Sequence, residues 1–178
     1  MKRVLIISAS PREGGNSDTL CDQFAKGAKS SGHDVEKIML KDKRIAYCTG
    51  CRVCLSKHVC SQKDDMGDIL EKMIQSDVIV LASPVYFYSI NAQLKTFIDR
   101  CCPRYREIKY KDFYFLITAS DRSVDRMQRT IETLRGFTED CLPGANEAGI
   151  VYGVGAWDRG EILYTPAYTE AFEMGKAC

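Results

Sequence analysis

Four apolar runs in this chain are nearly unbroken: Val4 to Ile7, Val78 to Leu81, Phe113 to Ile117 and Gly149 to Val154. A strand with one wetted face alternates apolar and polar residues, whereas a strand covered on both faces reads as a continuous apolar run. The four runs therefore predict the interior of a parallel sheet. A weaker run, Val35 to Leu40, is interrupted by Glu36 and Lys37 and suits a sheet edge. Helical spacing fills the intervals. Met66, Ile69, Leu70, Met73 and Ile74 line one helix face behind the cap candidates Asp64 and Asp65, and Leu94, Phe97, Ile98 and Cys101 do the same before Pro103. Met127, Ile131 and Leu134 mark a helix roughly between Asp121 and Asp140, and Pro166 opens a last one carrying Tyr168, Ala171 and Phe172.

Strands alternating with helices predict an α/β fold, doubly wound, with helices on both faces of the sheet. Five strands suit the flavodoxin-like order 2-1-3-4-5, whose ligand crevice lies beyond the carboxyl ends of strands one and three. At 178 residues the chain is expected to form a single domain, residues 1–178, with a cysteine-rich loop at 48–60. Its 25 basic and 24 acidic residues leave a net charge of +1, which supplies no field for nucleic acid or an anionic membrane. Small molecules and proteins are the expected partners. No apolar run approaches the roughly 18 residues of a membrane span and the opening residues lack a secretory pattern, so the expectation is a soluble, cytoplasmic protein.

Between the first run and the first helix lies Ser8-Ala9-Ser10-Pro11-Arg12-Glu13-Gly14-Gly15-Asn16-Ser17-Asp18-Thr19. A helix N-terminus carries about half a positive charge and several unpaired amides, so a phosphate placed there is both neutralised and hydrogen-bonded. Ser8, Ser10, Ser17 and Thr19 offer hydroxyls, Asn16 an amide, Pro11 a fixed turn and Arg12 a charged fork. A single loop of this kind is also an ordinary capped turn. A second segment, Pro84-Val85-Tyr86-Phe87-Tyr88-Ser89, follows strand three and falls at the same predicted crevice. Thr118-Ala119-Ser120-Asp121, at the end of the neighbouring strand, completes it.

Ser10-Pro11-Arg12 with Gly15-Asn16-Ser17, and Ser83-Pro84-Val85-Tyr86-Phe87 with Gln93-Leu94-Lys95 and Ile98-Asp99-Arg100, resemble the NAD(P)H-dependent FMN reductase family and its iron-sulfur flavoprotein branch. The likeness covers roughly the first 100 residues; Ala9 and Tyr88 stand where relatives often carry glycine. It implies FMN in the crevice, with its phosphate on the first turn and its ring against Pro84 to Ser89, whose backbone donors and aromatic surface suit a flavin. It implies NAD(P)H as electron donor, a flavin, quinone or other small molecule as acceptor, and a homodimer or homotetramer. No Gly-x-Gly-x-x-Gly follows a strand, so a separate nicotinamide site is not expected. No catalytic acid or base is nominated, and His33 and His58 are read as surface residues.

Cys48, Cys51, Cys54 and Cys60 are spaced Cys-x-x-Cys-x-x-Cys-x5-Cys. Such a run can ligate a [4Fe-4S] cluster or tetrahedral zinc, or remain a metal-free loop with a labile disulfide. The spacing resembles the motif by which iron-sulfur flavoproteins hold a [4Fe-4S] cluster, and many relatives that keep part of it work as plain flavoproteins, so the alternatives stay open. An odd total of nine cysteines argues against a secreted disulfide scaffold. Cys21 and Cys101 sit on apolar stripes and read as packing residues, and Cys178 as a spectator. The segment Cys102 to Lys111 interleaves basic and aromatic residues and reads as a solvated connector or an entrance wall. Trp157 is read as a cover for the flavin or an anchor between subunits. Two functions besides an FMN oxidoreductase stay open: an electron carrier joining FMN and a cluster to a ferredoxin-like protein, and a metal-binding interaction module without flavin.

Overall fold

The computed structural model describes residues 1–178. In chain order its elements are β1 (Arg3–Ser8), α1 (Asn16–Ser30), β2 (Asp34–Met39), α2 (Val53–Lys57), α3 (Met66–Gln75), β3 (Val78–Tyr86) and β4 (Ser89–Ile90). There follow α4 (Ala92–Asp99), β5 (Asp112–Ala119), α5 (Gln128–Cys141), β6 (Asn146–Val154) and α6 (Pro166–Ala177). The parallel strands lie in the order β2-β1-β3-β5-β6. This is the expected 2-1-3-4-5 path once the two-residue β4, antiparallel to β3, is set aside.

The unbroken apolar runs fill both faces of this sheet. Leu5, Ile7, Ile79, Leu81, Phe113 and Phe115 pack with Met73 of α3, Leu94 and Phe97 of α4 and Ile131 and Leu134 of α5. Val4, Ile6, Val78, Val80 and Leu116 pack with Leu20 and Phe24 of α1 and Ala167 and Ala171 of α6. Each fully buried aliphatic or aromatic side chain contributes about 1.5–3 kcal/mol, so the two cores fix the sheet's register as well as its stability. β2 is the edge, and only Ile38 of it is fully buried. The α1 and α6 backbones touch: a Cβ on Gly27 would collide with the Phe172 carbonyl oxygen, and one on Gly175 with that of Phe24.

Several elements depart from the sequence reading. β3 continues to Tyr86 because β4 folds back on it, so Pro84 to Tyr86 are strand rather than turn. A 3-10 turn, Val124–Met127, occupies the start of the helix expected after Asp121. The cysteine loop contains a short helix, α2, that no apolar spacing announces. Asp65 holds the N-cap position of α3 but spends its carboxylate on the Arg44 N–H at 2.7 Å, and it is Asp64 that accepts from the first helical amide, the Met66 N–H, at 3.3 Å. Cys21 and Cys101 are packing residues, and burial, then the charge of Asp18, push the Cys21 thiol up to about 12. Cys178 is buried, and its backbone carbonyl lies 2.9 Å from the His33 ring. No helix is long and apolar enough to cross a membrane.

Candidate functional site

The turn after β1 is built around a buried carboxylate. Asp18, in the first turn of α1, accepts from the Gly14 N–H at 2.9 Å, the Ser8 hydroxyl at 3.3 Å and the Lys37 ammonium at 3.0 Å. Gly14 is held there at φ +62°, a left-handed conformation that glycine adopts without penalty. Gly15 is the N-cap, and no side chain caps α1, so the amides of its first turn remain available to an anion. A Cβ on Gly15 would lie 3.0 Å from both the Arg12 carbonyl oxygen and the Ser10 hydroxyl, which marks how tightly the cradle closes. Ser10 donates to the Arg12 carbonyl at 2.8 Å and so shapes the loop. Asn16 reaches away: its amide donates to the Asp158 carbonyl at 3.0 Å and its oxygen accepts from the Gly160 N–H at 3.2 Å, pinning the Trp157 loop beside the cradle.

The second wall is the β3–β4 hairpin. Val85 pairs with Ile90 and Tyr86 with Ser89, leaving Phe87 and Tyr88 as a two-residue loop. Both have positive φ, 50° and 61°, as a type I′ turn requires, although that turn ordinarily takes Asn-Gly. Asn91 ties this wall to the first. It caps α4 by accepting from the Leu94 N–H at 3.2 Å, donates its backbone N–H to the Ser83 hydroxyl oxygen at 3.1 Å, and donates its side-chain amide to the Ala9 carbonyl at 2.6 Å. The third wall follows β5. Asp121 accepts from the Ser123 N–H at 2.8 Å and from Arg126 at 2.9 Å, and these two partners, the backbone first, hold its carboxyl below the usual range. Ser17 and Thr118 share a buried hydroxyl contact of 2.6 Å across the cavity floor. One of the two donates to the other, which leaves one proton free for a ligand.

These walls enclose a cavity of about 430 Å³. Ser10, Pro11, Arg12, Asn16 and Ser17 line it from the first turn, Pro84, Val85, Tyr86, Phe87 and Tyr88 from the second, and Thr118, Ala119, Ser120 and Asp121 from the third. Three candidates stand off it. Ser8 lies beneath, bonded to Asp18; Thr19 and Ser89 are not among the lining residues, and Ser89 pairs with Tyr86 in the hairpin. Gly15, Met127, Ala156 and Trp157 also line the cavity. Trp157 stands in a loop flanked by Gly155 and Gly160, a signal legible in sequence, whereas Met127 reads from sequence as helix core. Asp18 and Asn91 have short-range signals only: an acid in a first helical turn, and an Asn before a helical stripe. His33 and His58 do not line it.

The cysteine loop makes a second, smaller site. Cys48, Cys51, Cys54 and Cys60 surround a cavity of about 30 Å³ together with Cys102, which sequence spacing did not connect to them. The Cys54 and Cys102 sulfurs are 3.7 Å apart. Cys51 faces the Ser61 hydroxyl at 3.3 Å, which, with the Val53 N–H, holds its thiol below the ordinary value. Arg100 donates to Cys60 at 3.4 Å while gripping Asp64 through two nitrogens at 2.7 and 2.9 Å. All nine cysteines are free thiols, and no three metal-binding side chains stand in a ready-made ligand arrangement. The donor chemistry suits a thiolate-held metal centre.

Three strand-end turns meeting at the switch point of a 2-1-3-4-5 sheet, with an uncapped helix N-terminus beside the crevice, place the chain in the flavodoxin-like class. The family model for NADPH-dependent FMN reductases matches residues 2–136, and the chain belongs to that family. It is 47% identical over 103 residues to an iron-sulfur flavoprotein of Archaeoglobus fulgidus, a stretch covering 58% of this chain and 46% of the relative. A Methanocaldococcus jannaschii iron-sulfur flavoprotein is 41% identical over 101 residues, 57% of this chain and 52% of the relative. The matched stretch spans about half the length of these relatives. The fold is shared with the FMN-dependent NADH-azoreductase of Bacillus anthracis, solved in complex with FMN, at a TM-score of 0.76 over 99% of each chain and 19% identity.

Proposed function

We propose that this chain is an FMN-dependent oxidoreductase that passes electrons from NAD(P)H to a flavin, quinone or other small acceptor, working as a homodimer or homotetramer. The convergence of the three turns on one cavity carries the reading, because a mononucleotide needs an anion site and a flat polar-edged slot side by side. The first-turn amides of α1, Arg12 and the free hydroxyl proton of the Ser17–Thr118 pair would hold the phosphate. Pro84 to Tyr88 and Thr118 to Asp121 would hold the ring system. When bound, FMN supplies the redox chemistry, accepting a hydride from nicotinamide and passing electrons on. The chain itself binds, orients and limits access. Tyr86, Phe87, Tyr88 and Trp157 form an exposed aromatic rim that suits a planar acceptor or a subunit contact.

Fluorescence titration with FMN and anaerobic mixing with NADPH or NADH test this. Tight uptake and bleaching of the flavin band are expected, and Ser17→Ala is expected to weaken FMN binding by about 1–3 kcal/mol. Protein that takes up no FMN would refute the reading.

A second reading adds a [4Fe-4S] cluster at Cys48, Cys51, Cys54 and Cys60, with a ferredoxin-like protein as electron partner. The four thiols around one small cavity and the similarity to iron-sulfur flavoproteins support it. An iron assay on anaerobically prepared protein decides: iron lost in Cys54→Ser with FMN content unchanged is the expected result, and iron-free wild type the contrary one.

A further inference from the structure

We propose that Cys54 and Cys102 form a reversible disulfide, a modification site that joins the cysteine loop to the turn after α4. Theirs is the one thiol-thiol hydrogen bond in the molecule, at 3.7 Å, between residues 48 apart in sequence. Three of the neighbouring thiols have other partners. Cys51 faces Ser61, Cys60 faces Arg100, and Cys101, although adjacent to Cys102, is buried against the Phe97 carbonyl. Cys102 is exposed, so a small oxidant reaches it directly.

Closure is mechanically easy. The sulfurs must approach by about 1.6 Å to reach the ~2.05 Å bond length. Cys54 rides on α2, a five-residue helix with no buried residue, flanked by Arg52 and His58 in left-handed conformations. An element so lightly packed moves at little cost.

With hydrogen peroxide as oxidant the step balances. The Cys102 sulfur attacks one peroxide oxygen, the O–O bond breaks, water departs and Cys102 carries S–OH. The Cys54 sulfur then attacks that sulfur, the S–O bond breaks and a second water leaves. Two thiols have lost two electrons and two protons, and peroxide has become two waters. A dithiol reductant reverses the bond by exchange.

The consequence rests on the metal reading of the loop: a linked Cys54 is withdrawn from the ligand set, so oxidation and metal compete for one sulfur. The full chain, treated with equimolar hydrogen peroxide, alkylated and digested without reductant, is examined by mass spectrometry. The expected main linked species joins the peptides bearing Cys54 and Cys102, disappears with dithiothreitol and is absent from Cys102→Ser. Linkages confined to residues 48–60, or a Cys102 that stays alkylatable or is oxidised without linkage, would overturn the proposal. Zn²⁺ uptake, followed with a chromophoric chelator, is expected to be equal in reduced wild type and Cys102→Ser and to fall at least tenfold in linked wild type. Undiminished uptake by the linked protein overturns the competition. A reduced protein that takes up no Zn²⁺ overturns the metal reading and leaves the peptide result standing.

Discussion

At the scale of single residues, the walls of the cavity are held by polar groups that do not line it. Asp18 and Asn91 are buried, and each uses its side chain on backbone groups of a cavity wall. Tyr88 shows the opposite relation, a side chain kept where its backbone is unfavourable. A non-glycine residue at positive φ costs about 1–2 kcal/mol, and the second position of a type I′ turn is the one glycine most often fills. Tyr88→Gly is therefore expected to raise stability by about 1 kcal/mol in chemical denaturation while weakening the binding of a planar acceptor; unchanged or lower stability would mean that the ring's contacts outweigh the strain. The sequence carries one sign of it, Tyr88 standing where relatives often have glycine, but not the hairpin that causes the strain. Only the pairing of Tyr86 with Ser89 forces two aromatics into the loop.

Among the elements, contact distance decides which glycines matter. Gly27 and Gly175 let α1 and α6 meet backbone to backbone, whereas nothing lies within 4 Å of a Cβ added to Gly136 in α5. Gly27→Ala should lower stability by about 1–3 kcal/mol through overpacking, and Gly136→Ala should raise it by about 0.5–1 kcal/mol through helix propensity; equal shifts in melting temperature would refute the distinction. The link from α4 to the cysteine loop is electrostatic. Arg100 is 2% exposed and its partner Asp64 12%, and the Arg100 hydrogen bonds hold the Asp64 carboxyl below its ordinary range. A carboxyl depressed on folding stabilises above its unfolded value of about 4, and the contribution disappears as pH falls through the lower folded value. Guanidinium unfolding is expected to show stability dropping below about pH 4, with Asp64→Asn less stable at pH 7 and flatter across the acid range. A parallel acid slope in the variant would assign the effect to other groups.

For the molecule as a whole, a cavity that takes FMN in the folded state alone couples ligand to stability. Saturating FMN at about 100 times its dissociation constant should add about 2.7 kcal/mol, seen as a concentration-dependent rise in melting temperature, and a flat response would argue against the cavity's assignment. The exposed aromatics around its mouth, wholly exposed Phe87 among them, are expected to appear in an assembly of at least two chains by sedimentation velocity.

Apolar runs and their spacing carried the strand order, the two-faced core and the meeting of the three turns, because burial on both faces of a parallel sheet is written directly into local composition. That Ser10, Pro11, Arg12, Asn16 and Ser17 share one cavity with Pro84 to Tyr88 and Thr118 to Asp121 follows from the same pattern, since strand ends in this topology meet at one crevice. Ser8, Thr19 and Ser89 were not separable from them, because which hydroxyl faces a cavity depends on the rotation of α1 and the register of a hairpin. The tertiary structure alone decided that Cys102 joins the cysteine loop, that Asn91 laces two walls together and that Gly27 meets Phe172. Those contacts join residues 48, 82 and 145 positions apart, set by how helices settle on the sheet rather than by any local pattern.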